Sequence, residues 1–386
     1  MIIMKNFFLL IICNLITIIA GAQTITNKKF VLSGIVHGRD TGFIVLRYTN
    51  ASCKWVSDTT YLKNARFRFD GEINEPTHAA ISGKKKIIDF DEVNYVSIFL
   101  EPDSQYIELT ENDYAHAKVI GSFTQQQFDT FNIQIDSINA KYKALLQQLT
   151  AAKYVYQNAK TEKEKESALQ EENEIAKKLG PRADEIIHED IVFILHHPDS
   201  YVSPYIFYTP ANILPVDSAK DLFQTLTPRI QNSSNGKYIA AILRKKEQNT
   251  IGKTPYNFEA KDINSKDVSI SNFHGKYLFI DFWASWCAPC IAEIPHIKEL
   301  YKQYHSKGFD VLSISIDQDR SAWRKAVAKE KISDWYNILA NEEIANNYPN
   351  VNDAIPSGIL IGPNGKIIWK SGKDETLGEV LKRLIK

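Results

Sequence analysis

The stretch that decides the fold is Tyr277–Pro295, which reads YLFIDFWASWCAPCIAEIP. It begins with a short apolar run from Tyr277 to Ile280, which is typical of a buried strand. Apolar residues then recur at spacings of three and four, the pattern of a helix, at Ile291, Ile294, Ile297 and Leu300. Two cysteines, Cys287 and Cys290, therefore lie where a predicted strand turns into a predicted helix.

The start of a helix favours an ionised thiol, because free backbone N–H groups and the positive end of the helix dipole are there. Only a thiolate attacks a disulfide, and in C-x-x-C sites at helix starts the thiol pKa falls from about 8.5 to roughly 3.5–7.5. We therefore expect Cys287 to be the nucleophile. Cys290, one turn further along and more buried, is expected to close the internal disulfide. Trp283 and Trp286 flank the pair, and we expect them to form an apolar rim for a docking peptide.

The cysteine pair has two other interpretations. If the pair were half of a zinc site, a second cysteine pair or nearby histidines would be needed. Cys53 is distant, and no H-x₃₋₅-H pattern follows. A purely structural disulfide is the other interpretation. The strand-to-helix position favours a redox-active pair over both, and we expect neither a metal nor a cofactor.

The motif DFWASWCAPC resembles the thioredoxin superfamily, and the segment from about Lys253 to the end resembles its periplasmic TlpA/ResA-type branch. This resemblance implies a thioredoxin-like fold, with a mixed central sheet flanked by helices. It places Cys287 and Cys290 at the two active-site positions, where they form the redox-active disulfide. The segment between Asp317 and Pro356 is longer than a plain thioredoxin needs and fits the insertion of that branch.

The resemblance also implies roles for two carboxylates. Asp281 lies six residues before Cys287, where thioredoxins place a buried proton-transfer carboxylate, and Glu293 lies where ResA-like proteins carry an active-site glutamate. Asp281 lies inside an apolar run, so we expect burial to raise its pKa and to let it accept the proton of Cys290. A strand-end aspartate bonded to backbone, and a surface glutamate that offsets the helix dipole, are the plainer alternatives.

A proline near the end of the chain completes the predicted site. Ile355–Pro356 matches the cis-proline dipeptide that, in the family, faces the cysteines and presents its backbone to the substrate. The residues alone allow either a cis turn or the start of a strand. Ser357 and Gly358 depart from the usual family residues at the next two positions, which questions how tightly a substrate strand is held.

Composition sets limits on the rest of the chain. The 386 residues are enough for two or three domains, and 44% hydrophobic content is typical of a globular protein. Lys plus Arg number 46 and Asp plus Glu number 46, so no charge excess attracts nucleic acid or acidic lipid. The oligomeric state cannot be inferred from these numbers.

Residues 1–22 are predicted to be a cleavable signal peptide. Lys5 supplies the positive start, Phe7–Ile19 is a mostly apolar run too short for a membrane span, and Ala20–Ala22 is an A-x-A-type cleavage site. An uncleaved anchor is the alternative. Export predicts a periplasmic or cell-envelope location, where disulfides persist.

Three regions follow the leader in our interpretation. Residues 23–120 contain short alternating or apolar runs separated by glycines, which predict a small antiparallel β-sandwich, and their pattern resembles the DUF4369-type domain. Residues 121–250 show helical spacing and are predicted to be a helical linker domain. Residues 251–386 alternate strands with helices and form the thioredoxin-like domain. The chain is thus a multidomain α/β protein with an all-β N-terminal domain.

The sequence therefore predicts a periplasmic thiol–disulfide oxidoreductase that reduces disulfides of envelope proteins and is fed by a membrane reductant. Its catalytic residues are predicted to be Cys287, Cys290, Asp281 and Glu293. Its substrate-binding residues are predicted to be Trp286, Ile355 and Pro356. A thioredoxin-like oxidase, a peroxidase, and a non-catalytic envelope interaction protein are the alternatives.

Overall fold

A computed structural model describes residues 28–84, 93–348, 355–372 and 375–386. The predicted signal peptide, residues 1–22, lies outside these ranges. No helix within them is both long and apolar enough to span a membrane. Contacts between residues divide the chain into two compact units, of which the first ends at Gln126 and the second begins at Gln127.

The first unit contains eight described strands in two four-stranded sheets. The strands are β1 (Lys28–His37), β2 (Phe43–Thr49), β3 (Trp55–Tyr61), β4 (Arg66–Ile73), β5 (Thr77–Ser82), β6 (Tyr95–Leu100), β7 (Ser104–Thr110) and β8 (Lys118–Ile120). One sheet has the order β4-β1-β7-β8 and the other β3-β2-β5-β6. Apolar side chains from both sheets form one core, including Leu32, Leu46 and Ile107, so this region is a sandwich, as predicted.

The sandwich is not wholly antiparallel, which corrects the prediction. Strands β1 and β7 run parallel, from Val31 beside Ser104 to His37 beside Thr110. A parallel pair needs a long crossover connection, and here the chain between the two strands includes all of the second sheet. Short-range patterns such as Arg66–Phe69 predict single strands, but they do not predict which distant strand becomes the partner.

Helices dominate residues 123–250. They are α1 (Phe123–Lys141), α2 (Lys143–Asn158), α3 (Glu162–Lys178), α4 (Gly180–His196), α5 (Val202–Ile206), α6 (Tyr208–Ile213), α7 (Val216–Gln224), α8 (Pro228–Gln231) and α9 (Ser234–Gln248). Pro204 and Pro210 lie in the first turns of α5 and α6. A proline is tolerated there because first-turn N–H groups have no partner within the helix.

The last part of the chain is built around a five-stranded mixed sheet. A small hairpin of β9 (Glu259–Lys261) and β10 (Asp267–Ser269) precedes it. The sheet strands are β11 (Tyr277–Trp283), β12 (Phe309–Ser315), β13 (Tyr336–Leu339), β14 (Ser357–Ile361) and β15 (Ile367–Lys370), in the order β13-β12-β11-β14-β15. The helices are α10 (Ala288–Tyr304), α11 (Arg320–Glu330), α12 (Glu342–Asn347) and α13 (Leu377–Leu384).

Strand β11 is the central strand and is covered on both faces. It pairs parallel with β12 and antiparallel with β14. Phe279 and Trp283 contribute to one apolar cluster, with side chains from α10, α11 and α13. Ile280 and Phe282 contribute to the other, with side chains from the hairpin and α12. The predicted mixed sheet flanked by helices is confirmed, and its burial on both faces explains the continuous apolar run in the sequence.

Candidate active site

The two cysteines lie at the junction between β11 and α10. The strand ends at Trp283, and the helix begins at Ala288 with Cys287 as its N-cap residue. The Sγ atom of Cys287 accepts a hydrogen bond from the backbone N–H of Cys290, at 3.3 Å. Because this N–H is one of the groups that a helix leaves unpaired at its start, the sulfur replaces a conventional cap. The same contact would stabilise a negative charge on Cys287.

The structure contains a disulfide between Cys287 and Cys290. The sulfur atoms are 2.04 Å apart and the Cα atoms 5.3 Å apart. Cys287 is 5% exposed and Cys290 is 3% exposed, so the expected difference in burial is in the predicted direction but small. Both side chains belong to the apolar cluster on one face of the sheet.

The two tryptophans beside the cysteines have different environments. Trp286 is 67% exposed, which suits the predicted contact surface for a substrate. Trp283 is completely buried in the apolar cluster that contains the disulfide, so the prediction that it forms part of the rim was wrong. The reason is strand alternation: Trp283 is the last residue of β11 and points to the same face as Phe279.

Asp317 fixes the turn that carries the cysteines. Its carboxylate accepts hydrogen bonds from the backbone N–H of Ser285 at 2.9 Å and from the hydroxyl of Ser285 at 2.6 Å. It also accepts a hydrogen bond from the hydroxyl of Ser315 at 2.6 Å. Hydrogen bonds to a charged group contribute about 1.5–3 kcal/mol each. Sequence reasoning treated Asp317 only as the residue that ends a strand, and its spacing from Ser285 carries no local signal.

An open cleft of about 1010 Å³ lies beside Trp286. Apolar side chains line part of it, among them Ile316 and Leu339, and carboxylates at Asp319 and Glu342 lie at other positions along its wall. Sequence reasoning missed this cleft, because its walls come from segments that are far apart in the chain. Trp286, the residue before Cys287, forms part of its lining, which makes the cleft a candidate surface for the substrate.

Asp281 lies within β11, on the face that carries the disulfide cluster. The residue is 4% exposed, and its carboxyl makes no hydrogen bond to any described residue. Burial, and to a smaller extent the negative charge of Glu293, raises the pKa of Asp281 to about 8. The structure therefore agrees with the expected desolvated carboxyl, and the alternative of a strand-end aspartate bonded to backbone does not apply.

Glu293 lies in the second turn of α10, with an exposed side chain. Its charge acts on Asp281, so the two predicted carboxylates are brought together. The exposure also agrees with the plainer interpretation of a surface acid. Pro295 lies inside α10, two residues further on.

The peptide bond between Ile355 and Pro356 is cis, as the resemblance implied. Ser357, the first residue of β14, pairs with Phe282 near the end of β11 that leads into the cysteine turn. Pro356 therefore lies at the same end of the sheet as the cysteines. Gly358 has a packing role, because a Cβ atom there would lie 2.4 Å from the ring of Phe279. Ile355 packs against the apolar clusters on both faces.

A disulfide between cysteines three residues apart, at the start of the helix that follows the central strand of a mixed sheet, defines a thioredoxin-like redox domain. Residues 251–370 match the AhpC/TSA family, and residues 24–128 match DUF4369, a domain of unknown function. Within the described ranges, no group of three or more histidine, cysteine or acidic residues could hold a metal ion.

Curated relatives identify the particular family. The chain is 32% identical over 143 residues to the thiol–disulfide oxidoreductase ResA of Bacillus thuringiensis subsp. konkukian, which covers 36% of this chain and 82% of that protein. It is 26% identical over 128 residues to ResA of Bacillus subtilis, covering 33% and 70%. The chain belongs to the ResA-like thiol–disulfide oxidoreductases of the thioredoxin family, and it is an enzyme of that class.

Two solved structures are also similar to part of this chain. A thiol–disulfide oxidoreductase from Bacteroides fragilis is 34% identical, and the match covers 34% of this chain and all of that one, with a TM-score of 0.32. The thioredoxin domain of a thiol–disulfide oxidoreductase from Bacteroides vulgatus is 26% identical, and the match covers 36% and 99%, with a TM-score of 0.33.

The raised pKa of Asp281 predicts how stability depends on pH. The carboxyl stays neutral in the folded protein up to about pH 8, whereas in the unfolded chain it ionises above about pH 4. Unfolding then releases a proton, so the free energy of unfolding should fall by about 1.4 kcal/mol per pH unit between those values. The measurement is urea unfolding of wild type and Asp281→Asn across this pH range. The fall in the free energy of unfolding that comes from the Asp281 carboxyl should appear only in wild type.

Asp334→Asn is the control, because Asp334 is an exposed carboxylate in the same unit. It should follow the wild-type pH dependence. Parallel curves for wild type and Asp281→Asn would contradict the assignment of Asp281 as a buried carboxyl that is neutral near pH 7.

Proposed function

We propose that this protein is an envelope thiol–disulfide oxidoreductase that reduces disulfides of exported proteins. The observation that carries the proposal is the Cys287–Cys290 disulfide at the start of α10, on the sheet face where Asp281 is buried. In this proposal Cys287 is the nucleophile, Cys290 the resolving thiol and Asp281 the proton acceptor, and all three lie on one face of the sheet. The named relatives support the class of chemistry, and the predicted signal peptide supports the location.

The first step uses the reduced form of the pair. The Cys287 thiolate attacks one sulfur of a substrate disulfide, whose S–S bond breaks as a mixed disulfide forms. The substrate thiolate that is released takes a proton from water. The N–H of Cys290 and the positive end of α10 stabilise the attacking sulfur before the reaction.

The second step closes the internal disulfide. In the molecules whose Asp281 is ionised, a minor fraction below about pH 8, the carboxylate accepts the proton of the Cys290 thiol. The resulting thiolate attacks the Sγ atom of Cys287. The Cys287–Cys290 bond forms, the mixed disulfide breaks, and the second substrate sulfur leaves as a thiolate. This thiolate takes a proton from water, and Asp281 returns its proton to the solvent. Two electrons have passed from the cysteine pair to the substrate. A membrane dithiol donor would return two electrons and two protons to restore the reduced form.

Glu293 assists this step as an exposed carboxylate close to Asp281. Its negative charge raises the pKa of Asp281, so it favours the protonated form that results from the transfer. Ile355 and Pro356 lie at the cysteine end of the sheet. Their backbone is proposed to contact an extended substrate segment. Trp286 and the adjoining cleft provide further contact area.

The role of each cysteine can be tested by insulin reduction with a small dithiol as electron source. Cys287→Ser should reduce the rate to the uncatalysed level, because it removes the nucleophile. Cys290→Ala should trap mixed disulfides with substrate proteins, which are recovered from the envelope fraction on non-reducing gels.

Cys53→Ser is the matched control, because Cys53 is free and exposed and lies in the first unit. It should retain full activity. Equal activity in Cys287→Ser and wild type would rule out the proposal. Peroxide consumption that depends on Cys287 and exceeds insulin reduction would favour the peroxidase instead.

The direction of electron flow is tested by the redox potential of the pair. A reductase is expected to lie near about −270 mV, whereas a potential near about −120 mV would make the protein an oxidase. Equilibration in dithiothreitol and glutathione buffers can be followed by tryptophan fluorescence. Trp283 is a suitable reporter because it packs in the same cluster as the disulfide.

The exposed ring of Trp286 is predicted to bind protein substrates. Trp286→Ala should lower kcat/KM for insulin by about tenfold, because an exposed aromatic side chain beside a reactive group is a typical binding hot spot. Reaction with a small aromatic disulfide should change little. Trp55→Ala is the control, since Trp55 is 65% exposed and lies in the first unit. An unchanged kcat/KM for insulin in Trp286→Ala would exclude this residue from the binding surface.

A further inference from the structure

Three polar residues form a row across the sheet beneath the disulfide. Asp281 on β11 pairs with Ser313 on β12, and Ser313 pairs with Asn337 on β13. All three are buried, with Ser313 and Asn337 fully inaccessible to solvent. Paired residues on neighbouring strands point to the same face, and for this row it is the face that carries Phe279, Trp283 and the cysteine cluster.

Two atoms of this row have no hydrogen-bond partner among the described residues. They are the hydroxyl of Ser313 and the Oδ1 atom of Asn337. The amide of Asn337 is fixed, because its Nδ2 atom donates to the carbonyls of Ile332 at 2.8 Å and Trp335 at 2.9 Å. An unpaired polar group in a protein interior is uncommon and calls for an explanation. A hydrogen bond that forms in only one protonation state of Asp281 is such an explanation.

Of the two residues that pair with Asp281 across the sheet, only Ser313 carries a side-chain hydrogen-bond donor. On the β14 side the paired residue is Gly358, which has no side chain. From α10, Glu293 contributes a negative charge, and Cys287 and Cys290 contribute the disulfide. Glu293 is the only charged group that acts appreciably on Asp281 among the described residues. A carboxylate at this position therefore depends on a neutral donor.

We propose that Ser313 is a positioning residue for Asp281, and that its hydroxyl donates a hydrogen bond to the carboxylate form of Asp281. This inference rests on the proposed function. Neighbouring strands lie about 4.8 Å apart, and a serine hydroxyl can rotate between staggered positions. In this structure the hydroxyl has no hydrogen-bond partner among the described residues. When Asp281 ionises, the hydroxyl turns to the carboxylate and stabilises the form that accepts the proton of Cys290.

Glu293 and Ser313 then shift the pKa of Asp281 in opposite directions. The charge of Glu293 raises the pKa of Asp281, whereas a hydrogen bond from Ser313 to the charged form lowers it. The balance sets the pH at which the base becomes available. This pH matters because an efficient proton acceptor has a pKa near the working pH.

The test is the pH dependence of the Asp281 carboxyl and of the resolving step. In Ser313→Ala, the pKa of Asp281, followed by the ¹³C shift of its carboxyl in the oxidised protein, should rise by about one to two units. The resolving step can be isolated by loading Cys287 with one arm of a small aromatic disulfide and timing the release of the aromatic thiol by Cys290. The rate of this release increases with pH, and the midpoint of that increase should shift upward by the same number of pH units.

Three controls separate positioning from a merely structural effect. Ser313→Thr keeps the hydroxyl and should restore the wild-type midpoint. Ser203→Ala removes an equally buried serine from helix α5, and it should leave the midpoint unchanged whatever its stability. In an Asp281→Asn background, Ser313→Ala should have no further effect on the pH profile.

A measurement on wild type needs no folded variant. The ¹³Cβ shift of Ser313 should titrate with the same midpoint as the Asp281 carboxyl, because the hydroxyl gains the carboxylate as its acceptor. Independent titration of the two residues, or an unchanged midpoint in a folded Ser313→Ala, would overturn the assignment. Either result would leave the proposed function standing, since that depends on the loss of activity in Cys287→Ser.

Discussion

Strand β11 is hydrogen-bonded along both edges, to β12 and to β14, and it is buried on both faces. Its last residue therefore has a fixed position, and the first turn of α10 is fixed with it. Asp317 adds a second restraint, because it holds Ser285 through both the backbone N–H and the hydroxyl. Two sulfur atoms can react in sequence only if their geometry is held in this way.

Burial of polar groups beneath this junction opposes stability. An uncompensated carboxyl at Asp281 is unfavourable in an apolar cluster, which is why its pKa rises to about 8. The indole N–H of Trp283 is also buried without a described partner. A sheet optimised only for stability would carry apolar residues here. In the proposed mechanism the polar positions on this face serve proton transfer, because a general base at this site needs a pKa near neutral pH.

Several features of the site were predictable because they depend on local sequence. The strand-to-helix junction followed from the change of apolar period around Ser285, and the burial of Asp281 followed from the apolar residues on both sides of it. The cis bond at Pro356 came from the resemblance alone. Strand β13 (Tyr336–Leu339) was missed, because four residues give too short a pattern to distinguish a strand from a loop.

The sequence by itself determined the chemistry: two cysteines at the spacing of an internal disulfide, a helix that starts at the first of them, and a carboxyl within the preceding strand. These are short-range relations, set by the 3.6-residue period of a helix and the two-residue period of a strand. Only the tertiary structure decided that Trp283 is buried while Trp286 is exposed, that Asp317 holds the turn, and that Ser313 lies beside Asp281. Those relations depend on which strands become neighbours, and strand pairing joins residues that are far apart in the chain.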